Sequence, residues 1–318
     1  MSHLEGDMLF LGVGGKMGPS MAEMALRASR EAGVSRRIIG VSRFSDPAVR
    51  EYLEQRGIET LQGDLLEKTF VECMPQAENI VFLAGMKFGA EGNLPLTWAM
   101  NTYLPALVAN HFTSSRITAL STGTIYPLVP VSSGGSKESD EISPVGEYAQ
   151  SCLGRERMFE YGSGKYGNPV VLIRLNYAVE MRYGVLTDIA LKVKNGQPVD
   201  LAMGYFNAIW QGDANDMILR SLRHASSPAE ILNITGPEIL SVREVALRFG
   251  ELFGKTPVFE GEENETALLN HAGKAFALLG KPATKIGRVI EWLADWLSRG
   301  EELLNKPTHF EVRDGRYL

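Results

Sequence analysis

Cysteine is nearly absent: 318 residues contain only Cys73 and Cys152, far apart in sequence. That excludes a disulfide framework and a CxxC metal motif, and it suits a reducing compartment. Histidine is sparse too. His3, His111, His224, His271 and His309 stand without ligand spacing, so no metal site is expected. No G-x-S-x-G elbow occurs, which leaves a Ser–His–Asp hydrolase poorly supported. Long apolar runs are also missing. Stretches such as 80–85 and 170–173 fall far short of the roughly 20 residues that span a bilayer, and 1–7 lacks the flank and core of a signal peptide. A cytoplasmic protein with no membrane partner is expected. Positive charge is not in excess: 38 acidic against 32 basic side chains leave a net charge of −6. Such a surface argues against nucleic acid or anionic lipid as the main partner.

What is present is ordinary globular composition, 44% hydrophobic and 22% charged, enough for a substantial core and against global disorder. Short apolar runs at 8–11, 38–41, 58–61, 80–83 and 117–120 have the branched or bulky residues of buried strands. Between the first two, Met21, Met24, Ala25 and Ala28 recur at helical spacing over 20–32, with Pro19 in the first turn and Gly33 as a stop. A second helix is expected over 98–112. This alternation predicts an α/β fold with a doubly wound parallel sheet of Rossmann type. The Pro-, Ser- and Gly-rich stretch 129–146 reads as a long loop of the kind that often binds or covers a ligand. A helix over 148–161 and a strand over 170–174 follow. Beyond 178 the pattern turns to helices and loops, notably 242–253 and 286–297. The expected organisation is a dinucleotide-binding domain over 1–178 and a smaller, mainly substrate-binding domain over 179–318, with the chain free to cross back.

The first chemistry-bearing segment is Gly12-Val13-Gly14-Gly15-Lys16-Met17-Gly18, directly after a predicted strand and opening a helix. Glycines let a backbone turn tightly and approach a pyrophosphate, while the helix N-terminus offers free N–H groups and partial positive charge. A GxGxxG reading from Gly12 would need glycine where Met17 stands. The pattern that fits is Gly12, Gly15 and Gly18.

That spacing resembles the fingerprint of the extended short-chain dehydrogenase/reductase superfamily, in its NAD-dependent epimerase/dehydratase branch, and the likeness continues in order. Gly63-Asp64-Leu65 looks like the family's "GD" after the third strand, where the aspartate meets adenine. Leu83-Ala84-Gly85-Met86-Lys87 is similar to the "AG-x-K" stretch that lines the cofactor, and Asn101 occupies the family's helix asparagine. Leu120-Ser121-Thr122-Gly123-Thr124-Ile125-Tyr126 resembles "SS-x-x-VYG", which puts Thr122 at the catalytic Ser/Thr position and Tyr148 at the catalytic tyrosine. Arg174-x-Asn176 matches "R-x-N", and Trp210-Gln211-Gly212-Asp213 approximates "V-x-D". The resemblance implies a nicotinamide dinucleotide held by Gly12, Gly15, Lys16, Met17, Gly18, Ser42, Arg43, Asp64, Leu65, Ala84, Gly85, Lys87, Asn101 and Asn176. Thr122 and Tyr148 would be the catalytic pair. It also implies a homodimer formed through the helices 98–112 and 148–161.

Two departures matter. NAD-specific members end the second strand on a carboxylate that takes the ribose hydroxyls. Here the strand ends Gly40-Val41-Ser42-Arg43. Arg43 suits a 2′-phosphate, so NADP is preferred over NAD, with a solvated loop arginine as the alternative. The family also carries Tyr-x-x-x-Lys on one helix face, the lysine lowering the tyrosine's pKa from about 10. Here the lysine position is Cys152, and Arg155 lies one turn further along. Three readings stay open: hydride-transfer chemistry through Thr122 and Tyr148 with another cation, chemistry with a different acid or base, Cys152 included, or a catalytically silent dinucleotide sensor or scaffold. The substrate expected is a small polar hydroxyl or carbonyl compound such as a sugar or sugar acid. The segment 204–209 has no arginine to hold a diphosphate, which disfavours a nucleotide sugar. Lys87 and Arg182 are candidates to meet a carboxylate. Asn207 and Trp210 are either substrate contacts or packing residues. His309, Arg313 and Arg316 make a basic tail that either folds back or stays solvated.

Overall fold

The computed structural model describes residues 2–87 and 92–315. Seven strands form one parallel sheet: β1 (Met8–Leu11), β2 (Ile38–Ser42), β3 (Glu59–Gln62), β4 (Asn79–Phe82), β5 (Arg116–Thr122), β6 (Val170–Leu175) and β7 (Glu230–Ile234). Their spatial order is β7-β6-β5-β4-β1-β2-β3. The order reverses between β1 and β4, which pair directly in register Met8↔Asn79 through Leu11↔Phe82. In open sheets of this kind, ligands bind outside the carboxyl ends of the strands at such a reversal. Every residue of β1 and β4 is buried, as expected for central strands covered on both faces.

The helices of this layer are α1 (Gly18–Glu31), α2 (Pro47–Gln55), α3 (Lys68–Cys73), α4 (Leu94–Trp98), α5 (Leu104–His111) and α6 (Gly146–Tyr166). The helix expected over 98–112 is in fact two α-helical pieces joined by a π-helical turn, Ala99–Tyr103. Pro105 explains the break: it has no N–H for the Asn101 carbonyl, and its ring would crowd that carbonyl in a regular helix. The wider turn relieves both problems, and such turns often sit at functional sites. The helix expected over 148–161 runs longer at both ends. Strand β7 was not expected, because Glu230 and Asn233 interrupt its apolar run.

The chain folds as two compact units, one of Met1–Thr122, Glu147–Arg174 and Asn215–Leu232, the other of Gly123–Gly146, Leu175–Ala214 and Asn233–Leu318. The first unit's core is built from Leu9, Leu11, Ile39, Val41, Ile80 and Phe82 of the sheet against Leu104, Val108, Phe112 and Phe159 of the helices. In the second unit, α7 (Val185–Lys194), α8 (Val242–Phe253) and α9 (Ile286–Ser298) bury Ile189, Val193, Phe249, Val289 and Leu293 around Phe206 and Phe310. The stretch 129–146 belongs to this second unit and is anchored rather than loose. Val129 and Pro130 pair with Ala267 and Thr266, and Ser136 exchanges backbone bonds with Leu269 and His271. Among the described residues, no helix is long and apolar enough to cross a membrane.

Candidate active site

The turn between β1 and α1 is shaped by steric necessity. Gly12 has φ 87°, and a Cβ there would lie 2.7 Å from the backbone of Ala84, so the turn rests directly on the loop after β4. A side chain at Gly18 would collide with the Val13 carbonyl, so α1 starts hard against the turn. Gly15 differs: the nearest atom to a Cβ would be the Gly12 oxygen at 3.5 Å, leaving its outer face open. Helix α1 begins after Met17 with no side-chain cap and no acidic residue in its first turn. Its first N–H groups therefore point to a place suited to an anion. Lys16 and Met17, between the glycines, are half-buried there.

The carboxyl end of β2 adjoins this turn. The Ser42 Oγ lies 2.5 Å from where a Gly14 Cβ would be, and it accepts a 3.3 Å bond from the Phe44 N–H. Arg43 is exposed, and its carbonyl accepts from Gln62 Nε2 at 3.0 Å. Asp64 Oδ1 accepts from the Leu66 N–H at 2.9 Å, closing a turn in which Leu65 is buried.

Asn101, on the π-helical turn, is fully buried and has all its hydrogen-bonding positions used. Its Oδ1 accepts from the Met86 N–H at 2.9 Å and from Arg155 Nη2 at 2.6 Å. Its Nδ2 donates to the Met86 carbonyl and to Ser151 Oγ, each at 3.0 Å. The asparagine thereby ties the loop carrying Ala84, Gly85 and Lys87 to α6. Helix α6 is also fastened to the end of β5, beside Thr122: Arg155 Nη1 donates to the Leu120 carbonyl, and Ser121 Oγ donates to Glu156, each at 2.6 Å. Glu156 is fully buried and pairs with Arg174 of β6 at 2.8 Å.

Tyr148 stands one turn before Cys152 on α6, and a side-chain hydrogen bond joins them. Cys152 is completely buried. Burial pushes its thiol pKa up; Arg155, the Tyr148 hydrogen bond and Lys87 oppose that rise, and Glu156 adds to it. The thiol is thus held neutral, unlike a reactive thiolate. The structure brings Tyr148, Cys152, Arg155, Asn101 and the loop after β4 into one cluster. Glu156 went unrecognised in the sequence, although it lies eight residues after Tyr148, two helical turns along the same face.

The second unit gives other residues structural partners. Asn176 Nδ2 donates to Asn207 Oδ1 at 2.9 Å, and Asn207 Nδ2 donates to the Asn270 carbonyl at 2.6 Å, so Asn207 braces the backbone. Trp210 packs edge-on against Trp292, with ring centroids 5.8 Å apart. Arg182 is paired internally with Glu180 at 3.1 Å. Asp213 receives the Thr284 N–H at 2.9 Å. The tail folds down: Arg313 donates to the Ala202 and Thr266 carbonyls and to Thr266 Oγ1. Arg316 lies outside the described residues. Among the described residues, no cluster of side chains has the make-up of a metal site.

No family model matches the chain, and no curated protein matches it. Solved structures do. A UDP-glucuronic acid 4-epimerase from Bacillus cereus, in complex with NAD, superposes with a TM-score of 0.77 at 14% identity, over 93% of this chain and 100% of that one. The fold is that of the sugar-nucleotide epimerases. A dTDP-glucose 4,6-dehydratase from Streptomyces venezuelae with NAD bound gives a TM-score of 0.78 at 16% identity, over 92% and 97% of the two chains. A UDP-glucose 4-epimerase from Thermotoga maritima, with UDP-glucose, gives 0.74 at 16%, over 92% and 99%. The similarity covers nearly the whole of each chain, so the epimerase-like fold includes the second unit as well as the sheet.

Proposed function

We propose that the chain binds a nicotinamide dinucleotide at the carboxyl end of its parallel sheet and uses it for hydride transfer at a hydroxyl- or carbonyl-bearing carbon of a small sugar or sugar acid. The observation that carries this reading is the turn at 12–18, with Gly12 pressed on Ala84, Gly15 open and α1 uncapped behind it. Those features fit a pyrophosphate: close backbone approach, and the positive end of a helix that no side chain caps. The solved NAD complexes of the same fold support it.

When bound, the dinucleotide supplies or accepts the hydride. The chain's own residues do the rest. Tyr148 gives its phenolic proton to the substrate oxygen in reduction and takes it back in oxidation, and Thr122 hydrogen-bonds the same oxygen. Ser42 and Arg43 favour NADP over NAD: no carboxylate ends β2 to take the ribose hydroxyls, and an exposed guanidinium is free to meet a 2′-phosphate. Two cysteines outside any disulfide support a reducing, cytoplasmic setting. A homodimer through α4–α5 and α6 is supported by the large side chains these helices leave exposed, Trp98, Tyr103 and Tyr161.

Fluorescence titration with NADPH and, separately, NADH tests the reading. NADPH should bind more tightly, and Arg43→Ala should weaken it about 10- to 100-fold while leaving NADH little changed. Binding of neither dinucleotide would remove the proposal. In a screen of sugars and sugar acids, Tyr148→Phe should abolish whatever turnover the unaltered protein shows. Binding without turnover across the screen would return the silent sensor.

A further inference from the structure

Arg155 is buried, and its hydrogen-bond partners among the described residues are neutral. Its Nη1 and Nη2 are spent on the Leu120 carbonyl and Asn101 Oδ1, and its Nε has no partner among the described residues. The guanidinium sits over the Phe82 ring at 5.8 Å. A side chain at Gly85 would collide with Nη2, so the glycine leaves the room that Arg155 fills. Glu156, next in sequence, is committed to Arg174 and Ser121 instead. Burying a cation against neutral acceptors alone is costly, because they offset little of its lost hydration. A sequence keeps such a group where a developing negative charge needs it. On α6 that charge belongs to the face three and seven residues earlier, occupied by Cys152 and Tyr148.

We propose that Arg155 is the cation of this site, standing in for a lysine at position 152. It acts as a positioning residue: through Asn101 it fixes the loop after β4, and from beside Cys152 it favours the ionised form of Tyr148. The proposal rests on the dinucleotide-dependent reading above. The Arg155 guanidinium is held between the Leu120 carbonyl, near the end of β5, and Asn101, which ties down the loop after β4. The effect on the buried thiol agrees, since Arg155 opposes the rise that burial imposes on Cys152. The other charged groups acting on the thiol are Lys87, from the loop after β4, and Glu156, from α6 itself.

The test reads the Tyr148 titration in the dinucleotide-free protein, as the ultraviolet difference between each variant and the same variant carrying Tyr148→Phe. This isolates one of ten tyrosines. Arg155→Met should raise the Tyr148 titration by about one unit or more, roughly a tenfold loss of phenolate at a given pH. It should also weaken dinucleotide binding. Cys152→Lys combined with Arg155→Met should return both towards the unaltered protein, a rescue that a merely structural arginine would not allow. Thermal midpoints of all variants are recorded alongside. Should Arg155→Met fail to fold, Arg155→Gln carries the test: it keeps an amide donor for Asn101 or the Leu120 carbonyl, lacks the charge, and should raise the Tyr148 titration likewise, an unmoved titration overturning the proposal. An unmoved titration in a folded Arg155→Met overturns the proposal. So does a shift that Cys152→Lys does not reverse, or one reproduced by Lys87→Met instead. The failures are separable: if the unaltered protein binds neither dinucleotide, the functional reading falls, whereas binding with an indifferent Arg155→Met removes only the role of Arg155.

Discussion

Glu156 and Arg174 are both essentially without solvent exposure, and their ion pair is completed by Ser121 Oγ. Removing one member leaves the other charged and buried, which costs more than the pair itself contributes. Glu156→Gln keeps the volume and one acceptor oxygen but strands the Arg174 guanidinium. It should destabilise the protein by about 3–5 kcal/mol, read from the shift in urea midpoint. A loss below about 1 kcal/mol, the range of an exposed pair, would show that the Arg174 charge is met some other way. Arg155 offers the instructive contrast on the same helix. It too is buried, yet no carboxylate among the described residues pairs with it, which is why a chemical role is proposed for it and a structural one for Glu156.

Among the elements, α7 and the tail are joined through Asp188, which receives the Thr308 N–H at 2.8 Å and the Thr308 hydroxyl at 2.6 Å. Burial pushes the Asp188 carboxyl pKa up; the bonds from Thr308 oppose this, Glu311 adds to it and His309 opposes it. A carboxyl whose pKa is higher folded than unfolded binds its proton more tightly in the fold. Its contribution to stability is therefore fully present below the unfolded value and is lost as pH rises through the raised folded value. Asp188→Asn keeps an acceptor for Thr308 and discards the charge. Its thermal midpoint, followed from acid to neutral pH, should fall less steeply than that of the unaltered protein and lie at or above it at neutrality. A variant that is less stable at neutral pH would mean the charge itself holds the tail. The π-helical turn at Ala99–Tyr103 carries a related lesson. Pro105 foretells a disturbance in the helix, but not that Asn101 will be turned inward onto Met86, Ser151 and Arg155.

For the whole molecule, assembly is the open physical question that the exposed helices pose. Tyr103 and Tyr161 are 50% and 61% exposed on helices that already pack together within the chain, with Thr102 Oγ1 donating to the Ser151 carbonyl. Their outer faces are then available to a second copy. Light scattering should give twice the chain mass, and Tyr103→Glu with Tyr161→Glu should halve it without unfolding the protein. A monomeric unaltered protein, or a double variant that stays dimeric, would place the interface elsewhere or remove it.

The sequence by itself determined the local architecture. Apolar runs bounded by turn formers placed the early strands within one or two residues, and Gly12, Gly15 and Gly18 located the tight turn between β1 and α1, because backbone sterics and hydrophobic period are properties of neighbouring residues. The motif order predicted the sheet and its family of folds, which the solved epimerases and dehydratases share. Tertiary structure alone decided what distant side chains do for one another. It joined Glu156 to Arg174, aimed Arg155 at Asn101, spent Asn207 on Asn270, and folded Arg313 down onto Thr266. A hydrogen bond needs its partners within about 3 Å and in line. Spacing along the chain fixes that only within a helix or a turn, so the partners of these residues became visible once the strands were set side by side.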